Sequence, residues 1–397
     1  MNRKHAGVLF GGILLLVLSM GISRFAFTPI LPFMRGDAGF TLETAGYLAS
    51  SNYVGYFIGA LWAGFLFRHK KMILLLNVLL NVASVISMGL TEHFTFWLLL
   101  RLIAGITSGF IFVLTSSIIM DYLAQALLTK WSGYLFSGIG LGIAISGLFV
   151  PYLELAYTWK GAWLGLGMLS LAFFCITLIT WRNLTIKDGV KQIKTANGKM
   201  TEGFMPWLIA SYGLEGLGYI ITGTFLVDII HNIPSLASYS SYSWVVVGLA
   251  AVPSAPVWIV LLSKFSPVHI LTAAYTMQVI GILLPVFSQT VVSVLLSSFL
   301  FGLTFVGIVT LTTSFARQLF PTQSNAVVSI LTTFYAFGQI IGPIIAGKLA
   351  AHFNSYKAAL LFAGAMVCTA LLVMLIGHFK THVQAKHENT VPTLESP

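Results

Sequence analysis

The chain has 397 residues, 57% of them apolar and only 8% charged, with a mean hydropathy of +0.91. A soluble domain carries about 25% charged residues, so a surface this poor in charge has to face lipid. The net charge of +10 does not point to nucleic acid, because the basic residues sit in short connections between apolar runs and form no basic stripe or domain.

Apolar runs of about 20 residues have the length that spans a bilayer core. The first covers residues 7–34 and follows Arg3 and Lys4, as a signal peptide would. It is too long for an apolar signal region and no small-x-small cleavage site follows, so it reads as a retained membrane helix. Runs at 42–67, 71–91, 94–121, 131–155 and 160–181 complete a first group. Residues 182–204 are basic and polar, end near Pro206, and read as a cytoplasmic linker. Runs at 205–230, 241–263, 268–288, 291–316, 325–350 and 356–379 form a second group, the eighth and ninth separated near Pro267. From Lys380 onward the chain is polar and reads as a disordered cytoplasmic tail, 380–397. The expected fold is an all-α membrane protein of 12 transmembrane helices in two six-helix bundles, residues 1–181 and 205–379.

An even helix number puts both termini on one side. That side then carries 15 Lys and Arg residues, among them Arg68, Lys70, Lys71 and Arg182, against 4 on the other (Arg35, Lys160, Lys348, Lys357). The positive-inside bias makes the termini cytoplasmic, in a cell inner (plasma) membrane. Cys175 and Cys368 both lie in apolar runs and read as small hydrophobes.

The two groups repeat. Leu114-Thr-Ser-Ser117 matches Leu311-Thr-Thr-Ser314, Gly105 matches Gly302, and Trp159-Lys-Gly-Ala162 matches Tyr356-Lys-Ala-Ala359, all at an offset of 197. Gly138, Gly142 and Gly147 match Gly338, Gly342 and Gly347 at 200. Parallel six-helix repeats related by an axis along the membrane normal characterise one large transporter architecture.

With that plan the chain resembles the major facilitator superfamily over essentially its whole length. Arg101-x3-Gly105-x3-Gly109 looks like the superfamily's helix-4 arginine motif. Gly338-x3-Gly342-Pro343-x3-Gly347 looks like the glycine-proline motif of antiporters, although that motif belongs on helix 5 and here sits on helix 11. The loop after helix 2, Gly64-Phe-Leu-Phe-Arg-His-Lys-Lys71, lacks the Asp and second Gly of the superfamily's loop signature. Met20-Gly-Ile-Ser-Arg-Phe-Ala-Phe-Thr-Pro-Ile-Leu-Pro32 and Tyr212-Gly-Leu-Glu-Gly-Leu-Gly-Tyr-Ile-Ile-Thr-Gly-Thr-Phe225 look like the YbfB/YjiJ-type branch. The resemblance implies a secondary transporter, usually monomeric, whose helices 1, 4, 7 and 10 line a central cavity.

Charges inside membrane helices are costly and ordinarily face a cavity or a partner. Three lie deep: Arg24, Arg101 and Glu215. Their heights above the cytoplasmic face come to roughly 23, 19 and 14 Å at the helical rise, and on the resembled fold all three fall on cavity helices. Glu215 is the candidate for proton coupling: desolvation favours the neutral acid and a nearby arginine favours the carboxylate, so an alternating cavity could switch it. Arg24 and Arg101 could hold an anionic group of the substrate in a bidentate grip. The alternatives are a fixed Arg24–Glu215 salt bridge, or an Arg101 that only caps backbone. Asn52, Tyr53, Tyr56, Tyr219, Thr222, Tyr335 and Gln339 could add polar contacts or serve as helix-packing glue. Pro29 and Pro32 free backbone carbonyls and permit bending. Gly105, Gly109, Gly138, Gly142, Gly338, Gly342 and Pro343 are candidates for close packing and gating. Trp97, Trp159, Trp181 and Trp207 fit an interfacial aromatic belt. Asp121 and Asp228 sit at helix ends and read as interfacial.

Gly342-x4-Gly347-Lys348 lacks the following Ser or Thr of a nucleotide-binding loop and no strand precedes it. His378 and His382 have no acidic partners and read as a solvated tail, and no hydrolase or zinc-enzyme motif occurs. The expectation is therefore a transporter, not an enzyme, with no cofactor, a proton gradient as its energy source, lipid and a small molecule as partners, and no nucleic acid. Its leading solute class is a small organic anion. Broad efflux of lipophilic drugs is a second reading, and a non-transporting receptor or scaffold a third.

Overall fold

The computed structural model describes residues 3–66, 69–184 and 203–388, except for the side chains of 322, 324, 325 and 382–388. The expected runs become α1 (Arg3–Ala38), α2 (Leu42–Gly64), α3 (Lys70–Met88) and α4 (Phe94–Gln125). One unbroken run, Ser137–Thr180, turns back on itself at Tyr157 and Thr158, where Thr158 takes φ 62°. It is therefore two rods, α5 (137–156) and α6 (159–180). The rest are α7 (Met205–His231), α8 (Ala237–Leu262), α9 (Pro267–Phe287), α10 (Val291–Leu319), α11 (Ser324–Phe353) and α12 (Lys357–Glu388). Pro267 opens α9 at the first helical position, where its missing N–H is no loss. No strand occurs among the described residues. Among the described residues, ten helices, counting the α5–α6 run once and leaving out α2, are long and apolar enough to cross a membrane by length and composition.

Two expectations are corrected here. The tail expected to be disordered from residue 380 instead extends α12 to Glu388, and residues 389–397 lie outside the described residues. Most of the expected linker, 185–202, also lies outside them, as does Arg68. Trp97, Trp159 and Trp181 are each only 3% exposed and so form no interfacial belt. Trp97 and Trp159 pack edge-on at 5.6 Å, and the Trp181 indole donates to the Val8 carbonyl at 2.9 Å.

The helices pair the same way twice. In the first six, α1 packs on α5 and α6, α2 on α4, and α3 on α4 and α6. In the last six, α7 packs on α11 and α12, α8 on α10, and α9 on α10 and α12. The repeated glycines explain the match. Gly138 and Gly142 bring α5 onto α1, where a Cβ on Gly142 would lie 2.6 Å from the Gly21 Cα. Gly338 and Gly342 bring α11 onto α7, where a Cβ on Gly342 would lie 2.7 Å from the Leu217 carbonyl. The third glycine of each set faces the other six helices: Gly147 meets Val245 of α8, and Gly347 meets Leu42 of α2. Gly105 and Gly109 seat α4 on α2 against Asn52, Tyr56 and Ala60.

Across the two sets, α1 meets α7, α2 meets α11 and α5 meets α8. The end of the bundle away from the N-terminus is sealed. There Arg35 donates to Asp228 at 3.2 Å, Tyr356 donates to the same carboxylate, and Asn232 bonds both. Thr28 donates to the Gly223 carbonyl and Ser50 to the Ile340 carbonyl, each at 2.7 Å, and the Pro343 carbonyl abuts Gly46. Asp228 is thus not an interfacial acid but fully buried, the centre of a lock between α1 and α7.

Candidate functional site

α1 is not continuous. Residues Val17–Arg24 are wound as a π-helix, a turn follows at Phe25 and Ala26, and an α-helix resumes at Phe27. Pro29 falls in the first turn of the resumed helix, where an amide needs no intrahelical partner, and Pro32 follows within it. The break leaves carbonyls that need donors, and Arg101 of α4 supplies them. Its guanidinium donates to the Ser23 carbonyl at 3.0 Å and to the Arg24 and Leu48 carbonyls at 3.4 Å each, over the Phe27 ring. Arg101 is 1% exposed, with every guanidinium nitrogen engaged. The expectation that it grips an anion is therefore corrected: it braces the broken helix. Asn52 is corrected likewise, since its amide donates to the Arg101 carbonyl at 3.0 Å and ties α2 to α4.

The brace aims Arg24. Its guanidinium lies 4.1 Å from the Tyr56 ring centroid, 4.9 Å from Tyr53 and 5.3 Å from Phe25. Cation–π contacts of this kind hold a charge without neutralising it. Arg24 is 3% exposed, its Nε has no hydrogen-bond partner, and no carboxylate among the described residues pairs with it. The alternative of a fixed Arg24–Glu215 bridge is therefore excluded. Tyr53 also reaches across to α7, its hydroxyl 3.0 Å from that of Thr224.

From Phe25 a run of rings crosses into the last six helices. Phe25 meets Trp244 and Phe305 edge-on, Phe305 stacks on Tyr219, Tyr219 stacks on Tyr335 at 5.4 Å, and Tyr335 stacks on Tyr212 at 4.3 Å. Gln339 of α11 donates its amide to the Tyr219 hydroxyl. The Thr222 hydroxyl and the Trp244 indole N–H are buried without partners.

Glu215 lies at the far end. It is fully buried among Tyr212, Tyr275 and Tyr335, beside Gln278 of α9. Gln278 is the polar side chain that acts on the Glu215 carboxyl, neither group makes a well-formed hydrogen bond, and no cation pairs with the carboxyl among the described residues. The three deep charges therefore do not share one cavity wall. Arg24 faces rings between the two sets, Arg101 is enclosed by backbone, and Glu215 points into the last six helices. Tyr219 lies within electrostatic range of both Arg24 and Glu215.

Sequence reasoning missed Asn81 of α3. Its amide sits among the Ser23, Thr107 and Ser108 hydroxyls and the Ala104 carbonyl, at 2.8–3.2 Å. It also missed Gln278, which stands 197 residues after Asn81, the offset of the other repeats. That offset was the available signal. No group of His, Cys, Asp and Glu among the described residues could hold a metal ion.

Comparison with known proteins agrees with this architecture. A family model described as "Uncharacterised MFS-type transporter YbfB" matches residues 16–375. The quinolone resistance protein NorA of Staphylococcus aureus (strain COL) is 23% identical over 98% of this chain and 100% of its own length. The multidrug resistance protein MdtG of Klebsiella pneumoniae (strain 342) is 24% identical over 78% of this chain and 77% of its own. Among solved structures, the nucleoside transporter NupG superposes with a TM-score of 0.70 at 14% identity, covering 95% of this chain and 98% of that one. A bacterial homologue of the human lysosomal transporter Spinster, inward-facing and unoccupied, superposes with a TM-score of 0.66 at 13% identity, over 97% and 98%.

Proposed function

Because the chain belongs to the YbfB-type family of major facilitator transporters, and is thus a multi-pass membrane transporter and not an enzyme, we propose that it moves a small aromatic organic anion by proton-coupled alternating access. All twelve rods cross the membrane in this reading, as two bundles of six joined by the 182–204 linker. The termini lie in the cytoplasm and the membrane is the plasma membrane. The sealed end is then the outer one, and the Arg35–Asp228–Tyr356 lock holds it shut.

One observation carries the proposal: two buried ionisable groups without a counter-ion among the described residues, Arg24 and Glu215, end a single run of rings in contact. Arg24, held but not neutralised by Tyr53 and Tyr56, takes the anionic group of the solute, and the rings take its aromatic body. Glu215, buried beside Gln278 with no counter-charge, is the group this reading assigns to the coupled proton. Entry of the anion beside Arg24 changes the field at Tyr219, which both groups share. Loss of the proton from Glu215 then accompanies the rearrangement of α7 against α1. Binding energy from solute and proton together shifts the population of the two states.

Efflux of lipophilic drugs is the second reading. The names of NorA and MdtG favour it, and the ring-lined site has room in its chemistry for a planar drug. Purified protein in liposomes with a trapped pH dye separates the two. Aromatic carboxylates should drive a proton signal that Arg24→Ala abolishes. If lipophilic cations drive the signal instead, and Arg24→Ala leaves it intact, the drug reading replaces the anion reading. If neither class moves protons, the coupling proposal is wrong.

A further inference from the structure

We propose that a cavity inside the first six helices, at the end bearing the N-terminus, binds the phosphate of an anionic membrane lipid headgroup. The cavity measures about 490 Å³ and is lined by Arg3, Lys4, Lys70 and Arg182 against one acid, Asp121. None of those four cations is in an ion pair among the described residues. Lys70 has only a long contact, 3.5 Å, to the Ser117 hydroxyl. Lys70 opens α3, so the unbonded amides of that helix N-terminus add to the positive potential. The cavity wall is fixed: His5 of α1 contacts the Tyr122 hydroxyl of α4 at 2.8 Å.

The apolar part of the wall selects a lipid over a free phosphate. Ile118 and Val8 line the interior, and Ile179 both lines the cavity and is 67% exposed on the outside of the bundle. An acyl-bearing headgroup can therefore enter from the membrane side with its phosphate reaching the cations. The cavity belongs to α1, α3, α4, α6 and the residues just after α6, so it is separate from the contacts between the two bundles. It contacts the first turns of the helix that carries Arg24, and its occupancy bears on how that helix is anchored. This inference rests on the membrane reading but not on the identity of the solute.

The test is native mass spectrometry of the full chain titrated with phosphatidylglycerol or phosphatidylcholine. Phosphatidylglycerol should bind preferentially. Each headgroup-facing cation removed should weaken it about fivefold, the effect of one basic residue near an anionic lipid surface. Lys70→Gln with Arg182→Gln should therefore cost about 25-fold, while Lys264→Gln, an exposed cation on the other six helices, should leave binding unchanged. Should the double variant not fold, Asp121→Asn supplies the opposite sign and should tighten binding. Equal losses in Lys264→Gln would reduce the effect to general surface charge and overturn the site. So would phosphatidylcholine binding as tightly as phosphatidylglycerol. Displacement of the lipid by millimolar inorganic phosphate would overturn the lipid assignment and leave a soluble phosphate as the ligand.

Discussion

α1 with α3, and α7 with α9, are the same structural unit built twice, yet they treat polar groups in opposite ways. In the first unit Asn81 is surrounded by four oxygens, and Ser108 donates to the Ser19 carbonyl at 2.9 Å. In the second, Gln278 has only the buried Glu215 carboxyl to act on, and neither makes a well-formed hydrogen bond. The glycine contacts set the register. Gly138 meets Ile13 and Leu16, and Gly338 meets Gly213 and Gly216, so positions 200 apart correspond. Leu15, in a dry apolar cluster, therefore stands where the second unit has Glu215. A leucine evidently suits that place in the architecture. The carboxylate is not there to hold helices together, and its cost has to be offset by what it does.

The largest expected effect tests that contrast. Glu215→Gln should keep the fold, with a melting temperature close to that of the parent, and should abolish net proton-driven uptake. Exchange of labelled for unlabelled solute across the liposome membrane should survive, since exchange needs no net proton movement. If Glu215→Gln accumulates solute normally under a proton gradient, the contrast between the two units has no functional content. Loss of folding in that variant would make the carboxylate structural after all.

Arg101 sharpens the contrast from the other side, because it is the charge of the first unit that is fully satisfied. Arg101→Met keeps apolar bulk but leaves three carbonyls, two at the α1 break and that of Leu48 on α2, without their donor. An unsatisfied buried polar group costs about 1–3 kcal/mol, so destabilisation of about 3 kcal/mol or more is expected. Thermal unfolding in detergent measures it. A variant as stable as the parent, but defective in solute affinity, would restore Arg101 to the binding site.

The helices were legible because their signal is collective: long apolar runs, charges between them, and two offsets shared by six motif pairs. The site was legible only as a set of residues. Sequence depth placed Arg24, Arg101 and Glu215 at similar heights, but depth says nothing of the face a side chain takes. The π-wound stretch rotates Arg24 relative to a regular helix, and no motif announces it. Arg101 turns to backbone because the break after the π-wound stretch leaves the Ser23 and Arg24 carbonyls needing donors, a need visible only in three dimensions. Trp97 and Trp159 were read as a membrane belt from position alone, yet their rings pack on each other. Asn81 and Gln278 escaped notice because single amides in apolar helices carry no pattern until the repeat is aligned.

The smallest expected effect compares those two amides directly. Asn81→Ala removes a group bonded to hydroxyls and a carbonyl on two helices, so about 1–3 kcal/mol of stability should be lost. Gln278→Leu removes an amide that makes no well-formed hydrogen bond and has only the Glu215 carboxyl to act on, and replaces it with an apolar side chain of similar volume. Replacing an unsatisfied buried polar group by a matching apolar one is close to neutral or stabilising. The melting temperature should thus fall for the first variant and hold or rise for the second. Transport should respond in the reverse order. Gln278 is the polar neighbour that can receive the Glu215 proton's hydrogen bond once the helices rearrange, and without it the pH for half-maximal uptake should move. Equal destabilisation by both substitutions would mean that Gln278 is structural glue like Asn81, and that the second unit is no more poised for a proton than the first.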